Sequence, residues 1–176
     1  MQVGIELSVL AEMMKTAKQF VRKDDMKPYN CFRVKVDDDH AYILALDGVR
    51  MVQATYPIFS ADDPFASFTL PVFDVPKGKG CAVIDVHDND IIVDFGSSRI
   101  SLKRSEEIKQ DWDTFAPKND VNFEICFNAQ GLADTLKSFG KAPVRMQFRG
   151  NKNAVIIIGE NKRALVLPLN PGSVSV

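Results

Sequence analysis

The sequence is short of the residues from which most active sites are made. It holds only two histidines, His40 and His87, and three cysteines, Cys31, Cys81 and Cys126, in 176 residues. The cysteines are far apart, and none forms a Cys-x-x-Cys pair, so zinc-ligand spacing is absent. They read as reduced, buried thiols of a cytoplasmic protein. No apolar run reaches membrane-spanning length, and the opening Met-Gln-Val-Gly-Ile-Glu lacks the basic lead of a signal peptide. Charge of one sign is also missing. The formal net charge is −1, which excludes a uniformly cationic nucleic-acid binder but leaves room for a local basic patch. Both histidines fall in polar turns, where solvated turn residues are the expectation. Asp37, Asp38 and Asp39 lack the glycine and glutamate spacing of a calcium loop and read as a charged hairpin tip. Gly78-Lys79-Gly80 lacks the Walker spacing of a phosphate loop. No catalytic constellation is present as a motif, so the expectation is a protein that is not an enzyme and needs no cofactor or metal.

What is there is a repeated pattern. Hydrophobic residues make up 45% of the chain and charged residues 26%, an ordinary globular balance. Residues 2–6 read as a strand and 7–23 as a helix. Leu10, Met13, Met14, Ala17, Phe20 and Val21 share one helical face, and Ser8, Glu12, Lys15, Lys18, Gln19 and Arg22 lie opposite. Strands follow at 31–36, 41–46 and 50–56, the last two joined through Asp47-Gly48, a strong hairpin signal. Residues 57–64 read as a linker.

A second pass begins at 67–70. Two prolines and two glycines in 71–80 stand where the helix should be, so that helix is degraded to a loop. Strands at 81–86, 91–95 and 99–102 complete it. Residues 103–120 form a charged connector, with Trp112 and Phe115 expected to anchor it to the core. The third pass has a strand at 121–127, then a helix capped by Asn128 and stopped at Gly140. Its apolar face is Ala129, Leu132, Ala133, Leu136 and Phe139, and strands follow at 144–148, 154–158 and 164–167. The fold class expected is α+β: repeated β-α-β-β-β half-domain units with antiparallel sheets and few helices.

These residues carry a family resemblance. Ala17-Lys18-Gln19-Phe20, Tyr29-Asn30, Leu46-Asp47-Gly48-Val49-Arg50-Met51 and Tyr56-Pro57-Ile58 resemble, in that order, the middle domain of the bacterial sliding clamp, the DNA polymerase III beta subunit. Residues 123–169, with their Phe-Asn start, Val144-Arg145-Met146 and a terminal Leu165-Val166-Leu167-Pro168-Leu169, resemble the C-terminal half of its last domain. The resemblance implies a DNA-clamp-like domain over 1–118, from half-units 1–58 and 65–104, and a half-domain over 119–176.

It also implies two kinds of site. Clamp helices line a channel where cations meet DNA phosphates without reading sequence, which would fall to Lys15, Lys18, Arg22, Lys23, Lys137 and Lys141. Lysines also occupy solvated helix faces by default. Clamps further bind partner peptides, from polymerases or the clamp loader, in an apolar pocket. Its wall here would be Tyr29, Leu46, Val49, Arg50, Met51, Pro117, Leu165, Leu167 and Pro168. Leu46 and Val49 depart from the family, where a hydroxyl and an imidazole are expected, so the peptide preference would differ.

The implied function is a processivity factor acting on double-stranded DNA as a homo-oligomer. A non-ring module that engages clamp-binding proteins is the alternative. Family subunits have three domains of two half-units each, whereas this chain offers three half-units. Four copies would match a ring. Alternatively, the first and third passes form one domain, with residues 59–118 as an insertion.

Overall fold

The alternation of apolar and polar side chains forms meanders where expected, but the opening strand of each of the first two repeats pairs with the meander of the other repeat. A computed structural model describes residues 1–22, 29–115 and 123–170. The chain divides into two compact units, Met1–Pro117 and Lys118–Val176.

In the larger unit, β1 (Gln2–Glu6) leads directly into α1 (Leu7–Lys18). Strands β2 (Cys31–Val36), β3 (His40–Leu46) and β4 (Met51–Pro57) form a meander, and β7 (Cys81–Val86), β8 (Asp90–Asp94) and β9 (Arg99–Lys103) form another. Between them lie β5 (Ser60–Ala61) and β6 (Ser67–Pro71). Strand β1 joins the second meander, giving the order β5-β1-β7-β8-β9, and β6 joins the first, giving β4-β3-β2-β6. Every pairing is antiparallel, with Val3 opposite Ile84 and Phe32 opposite Leu70.

This exchange rules out the alternative in which residues 59–118 are an insertion. One core joins Leu10, Met13 and Met14 of α1 to Val34 and Ile43 of one sheet and Ile84 and Ile91 of the other. Full burial of side chains such as Leu10 and Met13 contributes about 2 kcal/mol each. Residues 72–80 contain no helix, as their prolines and glycines predict.

Several boundaries are corrected. Helix α1 ends at Lys18 rather than Lys23: the Gln19 and Phe20 amides tighten to the carbonyls three residues back, Thr16 and Ala17, and the Phe20 and Val21 side chains pack on the core. The expected linker at 57–64 contains β5, held to β1 at Val3 and Gly4. Trp112, in the single-turn α2 (Trp112–Phe115), is 44% exposed, whereas Ile108 is fully buried against Leu44 and Leu46. Ile108 is therefore the connector's anchor. Cys81 is exposed rather than buried, because alternation along β7 turns Ala82, Ile84 and Val86 inward instead.

In the smaller unit, α3 (Ala129–Lys137) precedes the meander β10 (Arg145–Gln147), β11 (Val155–Ile158) and β12 (Arg163–Val166). The Asn128 side chain accepts from the Gly131 amide at 2.8 Å, as the capping pattern predicts, and Gly140 takes a left-handed φ of 68° beyond the helix end. Ala129 is exposed rather than part of the apolar face. Of the strand expected over 121–127, residues 121 and 122 lie outside the described residues, and 123–127 show a single bridge, Cys126 to Leu169, rather than a ladder. No helix of the described residues is long and apolar enough to cross a membrane.

Candidate functional site

The turn between β3 and β4 builds the best-organised surface feature of the larger unit. Gly48 takes φ of 90°, which only glycine adopts without strain. Asp47 closes the turn: one carboxylate oxygen accepts from the amides of Val49 (3.0 Å) and Arg50 (2.8 Å). Its other oxygen accepts from Nε (3.0 Å) and Nη2 (2.7 Å) of Arg50. The Arg50 amide, then the Arg50 side chain and the Val49 amide, depress the Asp47 pKa to about 2. The carboxylate is therefore ionised throughout the physiological range.

Arg50 also reaches out of the turn. Its Nη2 donates to the Gln19 carbonyl at the end of α1 (3.0 Å), and its guanidinium lies 5.4 Å from the Phe20 ring centre. One side chain thus ties the hairpin tip to the helix terminus and satisfies a carbonyl left free there.

Tyr29, Leu46, Gly48, Val49, Arg50 and Met51 line a cleft of about 330 Å³. Five of these are residues that the family resemblance places in a peptide pocket. Leu46 is buried and packs with Leu44 and Ile108, with Tyr29 and Met51 against them, so the connector supplies the floor. Val49, 92% exposed, forms the rim. The arrangement offers an aliphatic and thioether surface for an apolar side chain beside one cation. Pro117 lies outside the described residues. Leu165, Leu167 and Pro168 belong to the smaller unit, where both leucines are largely exposed and Pro168 borders a different cleft with Asn151 and Lys152. Sequence reasoning missed Gly48 as a lining residue, and Asp47 and Ile108 as the residues that hold the lining in place. The signal for Ile108 was present: it is the one aliphatic residue in the charged stretch 103–111.

Beneath the connector, Arg33 is almost wholly buried and donates to the Ile108 carbonyl (3.3 Å) and to Asp111 (3.0 Å), and Lys35 also reaches Asp111 (3.2 Å). Lys35 first, then the Trp112 amide and the charge of Arg33, hold Asp111 below the usual carboxylate range. These contacts pin the connector over Leu44 and Leu46.

The expected DNA-facing residues fall on both units. Lys15 and Lys18 are exposed on α1, paired with Glu12 (3.3 Å) and Asp74 (3.4 Å). Such exposed pairs are weak, about 0–1 kcal/mol. Arg22 is half-buried beyond the helix end, and Lys23 lies outside the described residues. Lys137 is exposed near Asp134 (3.2 Å) in the smaller unit, and Lys141 is exposed after Gly140. A groove of about 410 Å³ runs beside Lys15 and Lys18, bounded by Phe73, Asp74 and Val75 of the segment that replaces a second helix.

At the β2–β3 tip, Asp37, Asp39 and His40 gather. The Asp37 carboxylate accepts from the Tyr42 hydroxyl (2.6 Å) and the His40 amide (2.7 Å), and these bonds, that of Tyr42 first, lower its pKa. Its hydrogen bonds serve the turn, in keeping with a charged hairpin tip.

No protein-family model matches the sequence, and no curated protein matches it either. Solved structures do match. The DNA polymerase sliding clamp of Bacillus subtilis aligns over 96% of this chain and 49% of its own, at a TM-score of 0.80 and 12% identity. A putative DNA polymerase III beta subunit from Eubacterium rectale aligns over 96% and 50%, at 0.78 and 13%. The Helicobacter pylori beta clamp bound to a DNA ligase peptide aligns over 95% and 51%, at 0.66 and 15%. The chain spans about half the length of these proteins, and over that span its fold is the fold of the bacterial DNA polymerase sliding clamps.

Proposed function

We propose that this chain is a non-catalytic, sliding-clamp-like processivity factor of DNA replication or repair, working in the cytoplasm. The observation that carries the reading is the cleft formed by Tyr29, Leu46, Gly48, Val49, Arg50 and Met51 on a clamp fold. Its occupant would be a short partner peptide with leucine or phenylalanine anchors, from a polymerase or clamp loader. The ligase peptide on the Helicobacter pylori clamp supports that class of ligand. The larger unit would correspond to the middle clamp domain and the smaller to the C-terminal half of the last one.

Lys15, Lys18 and Arg22, with Lys23, Lys137 and Lys141, would meet double-stranded DNA through its phosphates. Such contacts are sequence-independent and salt-sensitive, as a sliding protein requires. The test is retention on circular plasmid compared with the same plasmid linearised. Binding that is lost when the circle is cut supports encirclement; equal binding to both forms rejects it.

A second reading has its own support. The described cleft residues lie within one compact unit, and Lys15 and Lys18 already face Glu12 and Asp74. A non-ring module would bind the peptide without DNA. A peptide carrying the anchors, measured by fluorescence anisotropy against a Met51→Glu variant, tests the cleft separately. Peptide binding without plasmid retention would select this second reading.

A further inference from the structure

Strand register carries the sheet face beyond the lining of the peptide cleft. Leu46 lies opposite Met51, and both line the cleft. Two residues back along β3, Leu44 lies between Arg33 of β2 and Gln53 of β4. Two further back, Tyr42 lies between Lys35 and Thr55. Side chains alternate along a strand, so these three rows stand on one face, about 7 Å apart. The alternate residues Val34, Ile43 and Ala45 pack into the main core on the other face.

The connector touches all three rows. Ile108 packs on Leu44 and Leu46, and Asp111 meets Arg33 and Lys35. Past the apolar cleft lies a second, smaller hollow of about 110 Å³, whose lining includes Arg33, Lys35, Tyr42, Gln53 and Asp111.

The charges lining this hollow do not balance. Arg33 and Lys35 share the one carboxylate of Asp111, each on its own oxygen, at 3.0 and 3.2 Å. Arg33 is only 6% exposed, so two cations, one of them buried, stand against a single anion. A cation held away from water gains most from a hydrogen-bonded carboxylate. The Tyr42 hydroxyl already donates to Asp37 (2.6 Å), so the donors that remain are those of Arg33, Lys35 and Gln53. Gln53 is exposed, and its side-chain amide makes no hydrogen bond to a described residue.

We propose that a peptide seated in the apolar cleft continues along this face and sets an acidic side chain, aspartate or glutamate, into the second hollow. The inference rests on the cleft being a peptide site and adds a charged specificity to it. The hollow spans the second and third rows, about 7 to 14 Å from the row of Leu46 and Met51. An extended peptide covers about 3.3 Å per residue, so its acid falls two to four residues from the apolar anchor. The carboxylate would accept from Lys35 and Gln53 beside the Arg33 guanidinium. All of these residues belong to the larger unit.

The test is fluorescence anisotropy on the full chain, with short peptides that carry one leucine anchor. Each has a glutamate two, three or four positions to one side of the leucine, and a matched control has glutamine there. At one position glutamate should bind about tenfold tighter than glutamine, the scale of a charge-assisted hydrogen bond in a half-covered site. Gln53→Glu, at a position in neither the connector nor the cleft lining, should abolish that gain and leave the glutamine peptide's affinity unchanged. Lys35→Gln should abolish the gain as well. No glutamate gain at any position, with glutamine peptides still bound, would overturn the proposal and leave the cleft reading standing. A gain that survives both Gln53→Glu and Lys35→Gln would overturn it too, by placing the acid elsewhere. Failure of every peptide to bind would overturn the cleft reading, and this proposal with it.

Discussion

The Arg50 guanidinium holds the Asp47 carboxylate through Nε and Nη2 at 3.0 and 2.7 Å while Nη2 also donates to the Gln19 carbonyl. The cleft's rim and the end of α1 are therefore positioned by one side chain.

That pair makes the first prediction, on pH. Asp47 is lowered from an ordinary 3.8 to about 2. A depressed carboxylate stabilises the fold fully above its unfolded pKa and loses that contribution as pH falls through the folded value. The turn should be insensitive to pH between neutrality and about 4 and should loosen only as pH approaches 2. Amide chemical shifts of Val49 and Arg50 followed by NMR report it. Loosening already near pH 6 would refute it. Arg50→Ala should shift the midpoint upward and weaken peptide capture.

The connector offers a second comparison. Ile108→Ala deletes a fully buried side chain beneath Leu46 and should cost about 3 kcal/mol. Trp112→Ala, at a residue 44% exposed, should cost less despite the larger side chain. Urea unfolding of both variants decides the order. The reverse ranking would show that Ile108 is not the anchor.

The third concerns the α3 cap. Asn128→Ala removes the acceptor for the Gly131 amide and should destabilise the smaller unit by about 1 kcal/mol. Amide exchange should speed in α3 and stay unchanged in α1. Uniform acceleration through both helices would contradict the description of two separate compact units.

A fourth addresses the exposed helix face. Replacing Lys15 and Lys18 together by glutamine should weaken binding equally for unrelated DNA sequences and flatten the slope of log affinity against log salt by about two. An unchanged slope would remove these lysines from the DNA surface and leave them as ordinary solvated residues.

How much was legible from residues alone depends on the range of the interaction. Helix α1 was readable because Leu10, Met13, Met14 and Ala17 recur at helical spacing, and the β3–β4 hairpin because Asp47-Gly48 is a local turn code. Helix α3 was announced by Asn128 and Gly140. The cleft was half legible. Family resemblance brought Tyr29, Leu46, Val49, Arg50 and Met51 together, but its floor comes from Ile108, some sixty residues away in the chain. Trp112 is the bulkier side chain, yet it is 44% exposed while Ile108 is buried, because burial is decided by what packs around a side chain.

By itself the sequence determined the element types, the turns, the caps and the repeat, since each depends on neighbours within one or two turns of chain. Only the tertiary structure decided that β1 leaves its own repeat for β7, that β6 does the reverse, and that 123–127 has no such host among the described residues. Strand partners are selected by which apolar faces meet and which edges remain open. That choice belongs to the assembled core and cannot be read from any one strand.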